Sequence, residues 1–99
     1  MTVFESHIQG SLPVVAEFYA EGSALCERSE SEMLAVREQL GSRGAVVKVN
    51  VEENPGLRDQ FHIETLPTII VFHHGNILWR KNGLASAHEI LEHLTFHLA

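Results

Sequence analysis

The stretch LPTIIVFHHGNILWRKNG, residues 66–83, reads as two β-rich runs joined at Gly75-Asn76. β-branched and aromatic residues crowd both runs, and a Gly/Asn step between such runs is the signature of a hairpin with an antiparallel return. Strands are therefore predicted near 68–73 and 77–81. Upstream, AVVKVNV at 45–51 is a further strand, and Asn54-Pro55-Gly56 supplies a cap followed by Pro at the first helical position, so PGLRDQFH forms a short helix. LPVVAEFYA, at 12–20, is almost continuously apolar. That pattern suits a strand near 13–19 covered on both faces. Between these strands Met33, Leu34, Val36 and Leu40 recur at helical spacing from Ala24 to Leu40, and GSRG ends the helix. Thr2 followed by Glu5 has capping-box spacing and opens a short first helix ending near Gly10. Ile90, Leu91, Leu94 and Leu98 make SAHEILEHLTFHLA the closing helix.

The element order is then αβαβαββα. Right-handed βαβ crossovers followed by a hairpin give an α/β domain, with helices on both faces of a four-stranded mixed sheet. A chain of 99 residues that is 44% hydrophobic supplies one core, so residues 1–99 are read as a single domain. A net charge of -6, with seven Lys and Arg scattered along the chain, excludes the clustered cations that phosphate-backbone binding needs. No apolar run is long enough for a membrane span or a secretory h-region. The single cysteine rules out an internal disulfide and points to a reducing, cytoplasmic setting.

Three segments together, PVVAEFYAEGSALC, VVKVNVEENPGL and FHIETLPTIIVFHHGNILWRKNG, resemble a thioredoxin from about Leu12 onward. The resemblance implies a cis proline at Pro67, and a client-contacting edge formed by Leu66, Pro67 and Thr68 with Gly83 nearby. It also shows two departures. The edge strand that precedes the first helix in the family has no counterpart here, which leaves the strand at 45–51 uncovered and gives a second copy of the chain a place to pair. The family's Trp-Cys-Gly-Pro-Cys falls on Gly22-Ser23-Ala24-Leu25-Cys26, so Ser23 replaces the attacking cysteine and Cys26 matches the resolving one.

Dithiol reduction needs a second cysteine to resolve the mixed disulfide. Independent turnover is therefore excluded unless a partner supplies a thiol. Two roles remain: monothiol exchange with a client through Cys26, or a redox-inactive binding module in which Cys26 is core. The resemblance permits the second, since some Ser-x-x-Cys relatives are associated with chaperone function. A Ser23 cap would place Cys26 in the first helical turn, where the dipole favours an anion, while Glu21, Glu27 and burial oppose it. Ser23 has no local base, so capping is its expected role.

Glu17 falls where the family keeps a buried acid thought to help deprotonate the resolving thiol, and Lys48 where it keeps the neighbouring lysine. A carboxylate in an apolar strand needs a partner, so a Glu17–Lys48 contact is expected. The helix front ERSESE, 27–32, reads as polar on every side, which disfavours hydrophobic client capture and suits a basic partner segment or an ordinary solvated face. Glu89, His93 and His97 share a helical stripe at metal-ligand spacing, but nothing fixes a fourth ligand. Neither metal nor cofactor is expected. Trp79 is read as a packing residue.

Overall fold

The computed structural model describes residues 3–98, and the predicted cap at Thr2 lies outside them. The elements are α1 (Val3–Ile8), β1 (Val14–Tyr19), α2 (Ala24–Leu40), β2 (Ala45–Asn50), α3 (Pro55–Gln60), β3 (Thr68–His73), β4 (Asn76–Asn82) and α4 (Ala87–Leu98), with a 3-10 turn at Gly41–Arg43 after α2. The strands form one sheet in the order β2-β1-β3-β4, with β1 and β2 parallel and the other pairs antiparallel. This is the predicted mixed α/β sheet.

Alternation along each strand divides the core into two layers. Phe4 and Ile8 of α1 meet Val14, Ala16, Phe18, Val49, Ile70 and Phe72 on one face. Here Phe4, Phe18, Phe61 and Phe72 form a cluster with ring centroids 5.6–6.1 Å apart. On the other face Met33, Val36 and Leu40 of α2 and Ile90 and Leu94 of α4 cover Val15, Ile69 and Val71. The β1 and β3 interiors are buried along nearly their whole length.

Local chemistry departs from the sequence expectations in three places. The hairpin turns on His74-Gly75 rather than Gly75-Asn76: both residues have positive φ, 53° and 80°, as a type I′ turn requires. Gly75 N–H also donates to Ile8 O, tying the hairpin to α1. Asn54 makes no side-chain cap to α3; its amide turns back and donates to Asn50 O at 2.9 Å. Leu34, grouped with the core positions of α2, is 53% exposed.

β2 is an edge of the sheet. Ala45 N–H donates to Pro13 O and Val51 N–H to Tyr19 O, so the odd-numbered residues of this strand face β1. Val46, Lys48 and Asn50 therefore turn their backbone groups outward. Arg37 Nη2 donates to Val46 O at 3.4 Å, and Asn54 closes on Asn50 O.

Candidate functional site

β1 runs into α2 through Gly22, whose φ of 81° makes the sharp step between them. Ser23 follows as the N-cap: its φ/ψ of -85°/123° is extended, and its Oγ accepts from Cys26 N–H at 3.4 Å. Cys26 is thereby fixed in the first turn of α2, as expected from the cap. Its side chain points inward and is 5% exposed.

The ladder brings the other candidates to the same end of the sheet. Phe18 of β1 is the register partner of Thr68 of β3, and Thr68 in turn of Asn82 of β4. The loop after β1, the Leu66-Pro67 step and Gly83 thus share one end. The Leu66–Pro67 peptide is cis, as the resemblance implied. Pro67 and Thr68 are buried, and Thr68 Oγ1 donates to Thr65 O at 2.5 Å, so the threonine hydroxyl is used internally. Gly83 has a φ of 138°, and a Cβ there would stand in open space. Leu66 and Gly83 are each partly exposed.

Glu17 departs from expectation. It is the register partner of Lys48, yet Lys48 Nζ pairs with Glu30 Oε1 at 3.6 Å and lies 4.5 Å from the centre of the Tyr19 ring. Both Glu17 oxygens are buried with no hydrogen-bond partner, and the facing Ser29 Oγ is likewise unbonded. The physical reason lies in Glu30, one turn beyond Cys26, which offers the lysine a carboxylate at the water's edge. Pairing there spares the ammonium the desolvation that reaching Glu17 would cost. Burial pushes the Glu17 carboxyl above its ordinary 4.5; the nearby Ser29 hydroxyl, which faces the carboxyl without completing a hydrogen bond of ordinary geometry, and Lys48 pull it back in part, and Glu30 pushes it further up.

Two cavities meet at the Lys48–Glu30 pair. One, of about 280 Å³, lies over Cys26 and is lined also by Tyr19, Glu21 and Glu27. The other, of about 310 Å³, is lined by Glu17, Met33, Leu34 and Arg37. Lys48 and Glu30 line both. The acid and the thiol therefore open onto separate cavities, with the ion pair common to both.

Sequence reasoning missed Ser29, Glu32 and Arg80. Ser29 is fully buried, and Glu32 Oε1 accepts Ala87 N–H at 2.8 Å at the start of α4, so the polar front of α2 is not solvated on every side. The spacing 26, 29, 33, 36, 40 is an unbroken helical stripe once serine is counted as a small core residue. Arg80 donates to Phe61 O, to His62 O at 3.0 Å and to Asn82 Oδ1 at 2.7 Å, pinning the segment that leads to the cis proline. No motif marks it. On α4, Glu89 is paired with Lys81 at 2.8 Å and His93 stacks on Trp79 at 4.5 Å, while His97 lies outside the residues whose side chains are described. Among the described residues no cluster of three or more potential metal ligands occurs, and no helix is long and apolar enough to cross a membrane.

The thioredoxin family profile matches residues 1–95. A thioredoxin of Rickettsia bellii is 28% identical over 88 residues, which cover 89% of this chain and 84% of that protein. Thioredoxin Y2, chloroplastic, of Arabidopsis thaliana is 34% identical over 92 residues, covering 92% of this chain and 55% of that one. Among solved structures, chloroplastic thioredoxin z superposes with a TM-score of 0.83 at 27% identity over 96% of this chain and 86% of that chain. Thioredoxin-2 of the malaria parasite gives the same TM-score and identity over 87% and 84%. With the fold, the cis proline and the strand-to-helix site all in place, the chain belongs to the thioredoxin family, with one cysteine where a dithiol cycle needs two.

Proposed function

We propose that this protein is a thioredoxin-like client-binding module that receives extended polypeptide beside Leu66, Pro67 and Gly83 and does not turn over disulfides on its own. The observation that carries the reading is the position of its one thiol: Cys26 is 5% exposed, and a capping serine holds the outer position. A recessed thiol is a poor attacking group for a protein disulfide, because exchange needs the thiolate to reach sulfur in line. Binding through backbone at a preformed loop needs no thiol at all. In this reading Ser23 is a cap, and Glu17 and Lys48 are part of the charge arrangement behind the groove. A lone thiol stays free in a reducing compartment, so we place the protein in the cytoplasm.

Monothiol exchange is the second reading, favoured by the groove that Cys26 shares with solvent-facing Glu27 and Lys48. One comparison separates the two. Peptide binding is measured by calorimetry in wild type and Cys26→Ala, alongside native thiol reaction with a chromogenic disulfide. Equal binding with a silent native thiol supports the module. Loss of client capture in Cys26→Ala, with a mixed disulfide trapped in wild type, supports exchange and overturns the first reading.

A further inference from the structure

Lys48 stands between two carboxylates and satisfies one. It pairs with Glu30 at 3.6 Å, while its register partner Glu17 has two buried, unbonded oxygens. The groove over Cys26 carries Glu21 and Glu27 as well as Glu30, and neither Glu21 nor Glu27 has an ion pair among the described residues. Three carboxylates against one lysine leave the groove with an excess of negative charge. Behind it, the unpartnered Glu17 opens onto the adjoining cavity, walled in part by the same Glu30 and Lys48.

We propose that this groove takes a Lys or Arg side chain of an extended client, which replaces Lys48 at Glu30 while Lys48 turns inward onto Glu17. The proposal rests on the client-binding reading above and names the chemistry of the client. The exchange is balanced in charge. Before it, one ion pair is made and Glu17 is unpaired; after it, the client cation holds Glu30 and Lys48 holds an ionised Glu17. Adjacent strands lie about 4.8 Å apart, within the swing of a lysine stem whose Cα is already opposite Glu17. The groups facing Glu17 are Tyr19 on its own strand, Ser29, Glu30 and Arg37 from α2, and Lys48 from β2; its neighbour on β3 is Ile69, which cannot titrate. Lys48 is thus the cation that the strand register sets opposite the carboxyl. Burial favours the protonated form of Glu17; wherever the free protein keeps that proton, accepting Lys48 releases it to solvent, and basic clients bind more tightly as pH rises through that range.

The test uses three short extended peptides that differ at one position, carrying Lys, norleucine or Glu. They are titrated calorimetrically into the full chain, in two buffers of different ionisation enthalpy, below the Glu17 midpoint measured by carbon NMR. The Lys peptide is expected to bind about fivefold more tightly than norleucine at low salt, with Glu weaker than both. Glu30→Gln, a change at an exposed position, abolishes that preference; Glu17→Gln abolishes the proton release. Equal affinity for Lys and norleucine, a preference that survives Glu30→Gln, or a Glu17 midpoint unmoved on saturation overturns the proposal. If none of the three peptides binds, the client-binding reading falls and takes this one with it; binding without preference overturns the basic-client proposal alone.

Discussion

Glu17→Gln keeps the shape of a fully buried side chain and removes its ability to ionise. The carboxyl is 1% exposed and neither oxygen is bonded, so the ionised form meets an environment with little to replace water. The sign follows from proton binding. With the folded value raised above the ordinary 4.5, the folded state holds the proton more tightly than the unfolded chain. Stability from this group is complete below the unfolded value and is lost as pH rises toward the folded one. Wild type and variant should therefore match near pH 4, and the variant should gain on wild type as pH increases, levelling once Glu17 is ionised in both states. An unsatisfied buried group of this kind costs about 1–3 kcal/mol, and in a domain of this size each kcal/mol moves Tm by about 4–8 °C. Lys48→Met should widen the gap, because the ammonium holds the carboxyl value down. Urea unfolding followed by circular dichroism at several pH values measures the difference. A gap that is flat between about pH 4 and pH 8, or that opens toward acid, refutes the reasoning.

Other predictions are shorter. Cys26 should react with a chromogenic disulfide at least about a hundredfold more slowly in native than in urea-unfolded protein, since reaction requires local opening; comparable rates would show the thiol to be accessible. Ser23→Ala should cost about 0.5–1 kcal/mol, at the low end for a cap because its bond is 3.4 Å long, and Ser23→Thr should restore most of it in the same denaturation assay. Phe18→Ala, which removes a fully buried ring of the aromatic cluster, should cost about 3–5 kcal/mol in the same assay. Arg80→Met should increase amide hydrogen exchange selectively in residues 61–66, leaving the β1–β3 ladder protected.

The architecture was legible where the signal is local. A β-rich run, a turn and a second β-rich run define β3 and β4 whatever surrounds them, and the cis bond at Pro67 came with the resemblance in the neighbouring residues. The turn itself was misplaced by one residue because His74 adopts a conformation that sequence reasoning reserves for Gly and Asn. The site was less legible. Lys48 and Glu17 are register partners, but the expected contact between them is not made, because which carboxylate the lysine chooses depends on the rotational phase of α2, which carries Glu30 to the same spot. Competition of that kind has no motif. Ser29 was read only as part of a polar stretch, although its place in the stripe from Cys26 to Leu40 already put it inside.

The outward edge of β2 keeps few free groups: Arg37 occupies the carbonyl at one end and Asn54 the carbonyl at the other, leaving the Lys48 pair and the N–H groups of Val46 and Asn50. An unguarded edge of valines would be a seed for open-ended strand stacking. Here each added strand would have to compete with a guanidinium and an amide already seated, and would lie beside a lysine. The two groups that a pairing strand would have to displace thus come from side chains outside the sheet. Arg37→Ala combined with Asn54→Ala would be the change to make if fibrous deposits, rather than loss of fold, were the outcome sought.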